Sequence, residues 1–519
     1  MQGGTPHDGA AGREQFMVQQ DGGQSSAPRS SASGAGASGS GALAPVILGL
    51  LLCLGLRLAA PVLVPYADDG FFTQWAAEYA RTGTLRSPFL DTLFPDFKDL
   101  LLVYPPLHVV LAGLFLRLDG ISRAGFDDYL FLSMALATIG FALAACRVFA
   151  SRAAAFMAFP VVAAVYLLYP FRPEVTGFTV FALGIGIGWG LGGWRRLAGL
   201  FLLMLAPIAA PSLFGGALTL VLAQEIMGLH DRRWRGVGRR IIELALLGVL
   251  AFLVLLASIQ FELSEFLRQF TIHAGLGRQS FNAQSVLSGV VVIGLGFLLR
   301  RLGAGDAWGW RLLLAIGAGL CVAELFHVRG FVRDLVLAFA VTGFVAAAAR
   351  GPRLARLAAV LPVVVAGGFC LGYLGNVASM NLFGEAVVRP ERAARIAEWR
   401  AQAAAGELKL FVDDVALRDL LDFDSDHIGS WNRHDPIPGG MPTSFDVLGP
   451  DEIWIVSAYT LFGYLRGQNF AAADVIGGYK RAPSLGCFAG RVGCKLPRRH
   501  FDYVLFRRGA DGAVQTEVF

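Results

Sequence analysis

Charged residues are scarce in this chain of 519 residues. They make up 16% of the sequence, whereas 55% of the residues are hydrophobic, and an ordinary globular domain carries about 25% charged residues. This composition excludes a soluble protein of this size, and the mean hydropathy of +0.56 agrees. The apolar residues come in long blocks, and a spanning helix needs about 20 mostly apolar residues. The sequence therefore predicts an α-helical, polytopic membrane protein.

Large apolar side chains near the N-terminus and a signal peptide of ordinary form are also lacking. Residues 1–42 have almost no large apolar side chains and are rich in Gly, Ser, Ala and Gln, which predicts a disordered cytoplasmic N-terminus. No signal peptide of ordinary form comes before the first apolar run, so we expect residues 43–66 to be an uncleaved signal anchor. The net charge is only +5. Short basic clusters between apolar blocks favour topology determinants over a nucleic-acid surface.

The arginine clusters predict the topology, because short loops rich in Lys and Arg stay in the cytoplasm. Placing every cluster inside gives about eleven crossings within residues 43–375, with residues 376–519 outside. One hairpin is predicted where Pro207 and Pro211 interrupt the apolar block 197–229. The clusters are Arg147 with Arg152; Arg195 with Arg196; Arg232, Arg233, Arg235, Arg239 and Arg240; Arg300, Arg301 and Arg311; and Arg350, Arg353 and Arg356.

One apolar stretch, Tyr104–Gly120, does not fit a crossing. Pro105 and Pro106 suit the start of a helix. Residues 107–118, however, span about 18 Å, against a hydrocarbon core of about 30 Å. We expect a helix at the outer membrane interface, begun by Tyr104, Pro105 and Pro106, with His108 as an interfacial polar residue. Residues 67–128 then form one long outer loop.

Two acidic motifs fall on the predicted outer side. Asp68 and Asp69 follow the first span in "VPYADDGFF", and Arg172 and Glu174 follow the third span in "YPFRPEVTGF". Asp69 and Glu174 are 105 residues apart, so only folding can bring them together. Two simpler alternatives stay open: solvated acids at a helix end, and a local salt bridge between Arg172 and Glu174. A second acidic pair, at 127–128, lacks the surrounding motif.

"ADDGFF", "YPPLHVVLAGLFLRL" and "RPE" together resemble the GT-C glycosyltransferases, above all protein O-mannosyltransferases and the aminoarabinose transferase of lipid A. The resemblance covers roughly residues 43–230. It implies a GT-C-like fold and inverting transfer from a polyprenyl-phosphate sugar, with Asp68, Asp69 and Glu174 as catalytic acids. Asp69 stands where the mannosyltransferases commonly have Glu. Some members use a divalent cation (Mg or Mn) and others none; Asp69 and Glu174 would hold it here.

The chemistry of such a transfer needs a base near the acceptor hydroxyl and positive charge near the departing phosphate. Arginine supplies the second with a planar, permanently charged fork. Outer-side basic residues are therefore candidates for the donor phosphate, although snorkelling to lipid headgroups is the simpler explanation for the loop residues. The candidates are Arg172, Arg268, His273, Arg278, Arg329 and Arg333.

Residues 376–519 predict a small extracytoplasmic α/β domain. Strands are expected at 409–414, 452–459 and 501–508, and helices at 390–405, 415–422 and 459–466. The acid-rich stretch 422–435 is expected to be a solvent loop. Cys487 and Cys494 are expected to form a disulfide, because an oxidising compartment permits one and a zinc site lacks further ligands nearby.

Together these features predict a membrane glycosyltransferase in a bacterial cytoplasmic (inner) membrane, with its active site extracytoplasmic. Its expected partners are a polyprenyl-phosphate-linked sugar, a glycan, lipid or protein acceptor, and membrane lipids, but no nucleic acid. A lipid-linked glycan flippase or transporter would need polar groups near the bilayer midplane. A non-catalytic scaffold that presents the tail domain would need no converging acidic site.

Overall fold

Apolar helices dominate the chain before residue 323 in the computed structural model. The structure describes residues 40–59, 67–86, 89, 99–102, 104–148, 155, 158–166, 172–231, 234–276, 283–302, 307–323, 340–341, 344, 390–421, 427–431, 448–457 and 503–518. From Gly41 onward the chain belongs to one structural unit. The helices are α1 Ser40–Ala59, α2 Ala67–Thr82, α3 Leu107–Asp119, α4 Arg123–Arg147, α5 Ala158–Tyr166, α6 Pro173–Gly188, α7 Gly193–Ala209, α8 Phe214–Asp231, α9 Val237–Ser258, α10 Leu263–Leu276, α11 Ala283–Arg301 and α12 Ala307–Ala323.

Three of these segments are long and apolar enough to cross a membrane: Arg123–Arg147, Pro211–Asp231 and Val237–Ser258. Helix α9 exposes large apolar side chains along its length, among them Ile241, Leu246 and Phe252. Such a surface is unfavourable in water and suits the hydrocarbon of a bilayer. The chain is therefore a polytopic membrane protein, while the number of eleven crossings stays a prediction. The predicted spans 331–349 and 357–375 lie almost wholly outside the described residues.

The predicted helical hairpin is confirmed. Helix α7 ends at Ala209, a short 3-10 turn spans Pro211–Leu213, and α8 begins at Phe214. Pro211 stands at the first position of the turn, where its missing N–H costs no hydrogen bond. Pro207 lies inside α7, so the apolar block is interrupted at the second proline, Pro211.

Glycines let α6 pack closely against α4 and α7. A Cβ on Gly140 of α4 would lie 2.5 Å from the carbonyl carbon of Ala182 in α6. A Cβ on Gly188 would lie 2.6 Å from the Cα of Gly199 in α7. Small residues at such crossings allow helix backbones to approach each other in a membrane. Close packing on both sides fixes the position of α6 in the bundle.

An arginine caps the C-terminal end of α6. Arg147, the last residue of α4, donates to backbone carbonyls of residues 185, 186, 187 and 189 at distances of 2.6–3.3 Å. A cation is favourable here because the C-terminal carbonyls of a helix form the negative end of the helix dipole. The start of one predicted basic cluster therefore holds the ends of two helices together.

A buried ionic network joins α7, α8 and α9 near the same end. Arg196 donates to Glu225 at 2.7 and 3.0 Å and to Glu243 at 2.6 Å. Arg240 donates to Glu225 at 3.2 Å. Only Glu243 has more than a tenth of its side chain exposed, and the charges neutralise one another locally. We call Arg196, Glu225, Arg240 and Glu243 the arginine network.

Two further contacts place α12 at this end of the bundle. The indole of Trp189, just after α6, donates to the carbonyl of Trp308 at 3.3 Å, and Arg311 binds Asp231 at 2.7 Å. Residues from four predicted basic clusters therefore lie together, as the predicted topology requires. The fifth cluster (350, 353 and 356) lies outside the described residues. We call this region the arginine end.

The described part of the tail contains helices and a five-stranded sheet, and a separate extracytoplasmic domain stays a prediction. Its elements are α13 Pro390–Ala404, β1 Lys409–Val412, α14 Asp414–Leu421, β2 Ile428–Ser430, β3 Glu452–Ser457, β4 Tyr503–Arg508 and β5 Val514–Val518. The strand order is β2-β1-β3-β4-β5, with β1 parallel to β2 and β3 and the other pairs antiparallel. Helix α14 packs against α2 of the membrane part.

One prediction for the tail is wrong. The stretch 422–435 was expected to be a solvent loop, but Ile428–Ser430 forms β2 and pairs with β1. Trp431, which follows β2, is fully buried. Three residues suffice because the strand adds to an existing sheet. The predicted helix 459–466 and the predicted Cys487–Cys494 disulfide lie outside the described residues.

Candidate functional site

The acidic pair begins a helix. Helix α1 ends at Ala59 and α2 starts at Ala67, so Asp68 and Asp69 stand in the first turn of α2. Acidic residues are favourable there because the N-terminal end of a helix carries partial positive charge. The structure describes the backbone of both residues but not their side chains. The position of the pair is therefore given by the first turn of α2.

The first turn of α2 lies against the start of α3. Phe72, three residues after Asp69 and on the same helix face, is buried between two rings. Its ring centroid is 5.5 Å from that of Tyr104 and 6.0 Å from that of His108. Pro106 occupies the position just before α3, where a proline was predicted. The two prolines thus start α3 directly beside the acidic turn.

His108 connects α3 to the start of α6. Sequence analysis expected an interfacial residue, but His108 is only 1% exposed. Its Nδ1 lies 2.8 Å from the Thr176 hydroxyl, which lies 2.6 Å from the Tyr129 hydroxyl of α4. Thr176 stands two residues after Glu174, in the opening turns of α6. Polar groups this deeply buried need such partners, so tertiary packing explains the burial of His108.

Arg172 and Glu174 form a buried ion pair at the beginning of α6. The Nε of Arg172 donates to Oε2 of Glu174 at 3.2 Å, and the two residues are 6% and 8% exposed. Pro173 takes the first helical position and Glu174 the first turn, where its charge matches the helix dipole. The local salt bridge that sequence analysis left open is thus present. Its burial distinguishes it from a surface pair.

The starts of α2, α3 and α6 therefore meet in one place. The contacts run from Phe72 on α2 through His108 on α3 to Thr176 on α6. They place the turn that carries Asp68 and Asp69 and the turn that carries Glu174 on either side of His108, across 105 residues of sequence. We call this region the junction. Helix α6 has 16 residues, about 24 Å, and runs from the junction to the arginine end.

The second acidic pair has a structural partner. Asp128, near the start of α4, accepts a hydrogen bond at 2.6 Å from the Nε of Arg57 in α1. The pair is partly exposed and ties two helices together. The ion pair with Arg57 gives Asp128 a structural role, so no catalytic role is needed to explain it. This agrees with the sequence analysis, which favoured the first acidic pair over the pair at 127–128.

Helix α10 and the residues just before it contact the segment between α2 and α3. The side-chain amide of Gln269, fully buried, accepts from the backbone N–H of Leu102 at 2.6 Å and donates to the carbonyl of Leu100 at 2.7 Å. Gln260, just before α10, donates to the carbonyl of Gly83 at 2.8 Å. Sequence analysis missed both glutamines. The sequence signal in each case was a polar glutamine next to apolar residues. The groups that these glutamines bind lie over 160 residues away in the sequence, so the signal could not identify them.

Of the basic candidates on α10, only Arg268 has a described side chain. It binds Glu265 at 2.8 Å, and this hydrogen bond lowers the pKa of the Glu265 carboxyl below its ordinary value. A phosphate at Arg268 would compete with that carboxylate. The side chain of His273 lies outside the described residues, as do Arg278, Arg329 and Arg333.

Glu174 is poorly suited to hold a metal ion. A cation at its carboxylate would lie beside the guanidinium of Arg172, which already donates to Oε2. Among the side chains that the structure describes, no three His, Cys, Asp or Glu residues are grouped as metal ligands. Asp69, the other predicted ligand, is not among those side chains. Arg172 would therefore compete with a metal ion for Glu174, and the metal site at Asp69 and Glu174 stays a prediction.

Comparisons with known proteins give one structural likeness. No protein-family model matches the chain, and no curated protein is significantly similar to it. A search of solved structures finds the crystal structure of ArnT from Cupriavidus metallidurans bound to undecaprenyl phosphate. The match has 16% sequence identity and a TM-score of 0.43, and it covers 82% of this chain and 95% of that chain. A likeness at this level does not establish a family.

Proposed function

We propose that this chain is an integral-membrane, inverting glycosyltransferase of GT-C type. It transfers a sugar from a polyprenyl-phosphate donor to a glycan, lipid or protein acceptor on the outer side of a bacterial cytoplasmic membrane. The observation that carries the proposal is the junction. There, a buried arginine–glutamate pair at the start of α6 and the turn of α2 that bears two adjacent acids lie on either side of His108.

Inverting transfer is a displacement at the anomeric carbon of the sugar. The acceptor oxygen forms a bond to that carbon, and the bond from the carbon to the phosphate oxygen breaks, leaving its electron pair on the phosphate. The acceptor proton passes to a carboxylate, which we assign to Asp69 or Asp68. The base and the positive charge at the phosphate must lie on opposite faces of the sugar. The starts of α2 and α6 lie on either side of His108. The start of α2 can therefore supply the base on one face of the sugar, and the start of α6 the positive charge on the other.

Arg172 is the residue we assign to the departing phosphate. Its charge is permanent, and burial strengthens its interaction with an anion because water screens it less. The hydrogen bond to Glu174 fixes the plane of the guanidinium. The N-terminal end of α6 adds partial positive charge at the same place. Glu174 then contributes by orienting Arg172, and no step is assigned to a metal.

The ends of α6 also support the proposed sidedness. Its first residue lies in the junction and its last lies at the arginine end. Because arginine-rich loops stay in the cytoplasm, the junction belongs on the outer side. The tail domain packs against α2 through α14, which supports an outer position for this domain as well. Arg268 remains a further candidate for the lipid phosphate on that side.

The proposal is tested with purified protein in lipid nanodiscs, labelled polyprenyl-phosphate sugars and a panel of acceptors. We expect transfer with inversion at the anomeric carbon and its loss in Asp69→Asn and Arg172→Gln. Glu262→Gln, which changes an exposed acid before α10, is the matched control and should retain activity. Movement of the donor across vesicles without transfer would favour a flippase and overturn the proposal.

A further inference from the structure

Thr176 is the centre of a buried hydrogen-bond relay from three helices. Its hydroxyl lies 2.8 Å from Nδ1 of His108 on α3 and 2.6 Å from the hydroxyl of Tyr129 on α4. The three residues are 4%, 1% and 6% exposed, respectively. A threonine hydroxyl has one proton and two acceptor sites, so it can serve both neighbours at once. The relay is therefore satisfied internally at its centre.

The relay touches both halves of the junction. The His108 ring lies 6.0 Å from Phe72, which is one helical turn from Asp69. Thr176 itself is half a turn from Glu174 in α6. A shift of the His108 ring would therefore move the acidic turn of α2 relative to the start of α6. Hydrogen bonds buried away from water resist such a shift, because breaking one leaves its partner unsatisfied.

We propose that His108, Thr176 and Tyr129 are positioning residues that set the spacing between the acidic turn of α2 and the Arg172–Glu174 pair. As a statement about transfer, this inference rests on the proposed function. The spacing matters because an in-line displacement needs its base and its counter-charge at a fixed separation. Small misplacements of reacting groups cost large factors in rate.

The same helix offers a matched control. Thr179 lies one turn further along α6, is 5% exposed, and lies 2.6 Å from the hydroxyl of Tyr166 on α5. It also donates to the carbonyl of Ser133 on α4 at 3.2 Å. The two threonines thus have the same side chain, the same burial and the same kind of partner. The hydrogen-bond partners Tyr166, Ser133 and Val175 of Thr179 lie on α5, α4 and α6, away from α2 and α3.

The experiment compares Thr176→Val and Thr179→Val, each of which removes a hydroxyl while keeping the shape. We expect Thr176→Val to lower kcat by about tenfold or more, with KM for the donor changed by less than about twofold. Thr176→Ser should restore kcat. Thr179→Val should lower the thermal midpoint as Thr176→Val does, but leave kcat within about twofold of the wild type. Equal losses of kcat in the two valine variants would overturn the proposal.

A second readout does not depend on transfer. Hydrogen–deuterium exchange of the amides in the first turns of α2 should speed up in Thr176→Val but not in Thr179→Val, because only the first loosens the contact with Phe72. Unchanged exchange in both variants would contradict the relay even if kcat fell. If the wild type transfers no sugar, the proposed function fails, and the exchange comparison still decides whether the relay holds α2.

Discussion

The two ends of the helix bundle use the same kinds of charged residue in opposite ways. At the arginine end, Arg196 and Arg240 share Glu225, and Arg147 is bound by backbone carbonyls. At the junction, Arg172 binds Glu174, and the turn of α2 that bears two more acids lies on the other side of His108. Charges that satisfy one another stabilise a fold, whereas an excess of one sign beside a single counter-charge is available for chemistry. We propose that the arginine end stabilises the fold and that the junction carries the function.

The largest expected effect is at the junction. Asp69→Asn removes the proposed base, so we expect the transfer rate to fall by about 100-fold or more. Asp128→Asn is the matched change in the other acidic pair, and it should cost stability through Arg57 while leaving the rate of the folded protein nearly unchanged. Transfer rates and thermal midpoints measured on both variants separate the two outcomes. Equal loss of rate in both would remove the distinction between the two acidic pairs.

The next effect is at the arginine end. Glu225→Gln leaves Arg196 and Arg240 without their shared carboxylate in a buried site. Breaking a buried ionic network by removing one partner costs about 3–5 kcal/mol. We expect a much lower thermal midpoint and an unchanged transfer rate per folded molecule. A lowered rate in a protein of wild-type stability would mean that the arginine end takes part in the chemistry.

Helix packing between the ends gives a smaller effect. Gly188→Val places a side chain against the Cα of Gly199, which a Cβ would approach to 2.6 Å. Overpacking of this kind costs about 1–3 kcal/mol. Gly248→Val on α9 is the control, because a Cβ there meets nothing within 4 Å. Unfolding in detergent should distinguish the variants, and equal stabilities would contradict the close α6–α7 crossing.

The smallest expected effect is at an exposed ion pair in the tail. Its contribution to stability is compared with that of the buried arginine network. Arg395 binds Glu517 at 2.6 Å, with both side chains more than a third exposed. The hydrogen bond from Arg395 lowers the pKa of Glu517 below its ordinary value. The stabilisation is therefore complete at neutral pH and is lost as the pH falls through the lowered pKa.

Glu517→Gln should then cost less than about 1 kcal/mol at pH 7. The difference between wild type and variant should vanish in acid below the lowered pKa of Glu517, and thermal melts of the full chain at several pH values check this. A cost as large as that of Glu225→Gln would show that burial does not set the difference between the two pairs.

Much of this architecture follows from local sequence signals. Two prolines predicted the α7–α8 hairpin, and β-branched and aromatic runs predicted β1, β3 and β4. The burial of His108 could not be predicted, because its partners lie on α4 and α6. Strand β2 was missed for a similar reason: three residues in an acidic stretch form a strand only beside β1. Local propensity predicts elements, and tertiary contacts decide which polar residues are buried.

We propose that the lipid phosphate binds at the junction and not at the arginine end. Cryo-electron microscopy of the protein with a bound polyprenyl phosphate would locate it. We expect a phosphate within hydrogen-bonding distance of Arg172, with the carboxylate of Asp69 or Asp68 across a gap that a sugar can fill. A phosphate bound between Arg196 and Arg240, or acids of α2 far from Glu174, would contradict it.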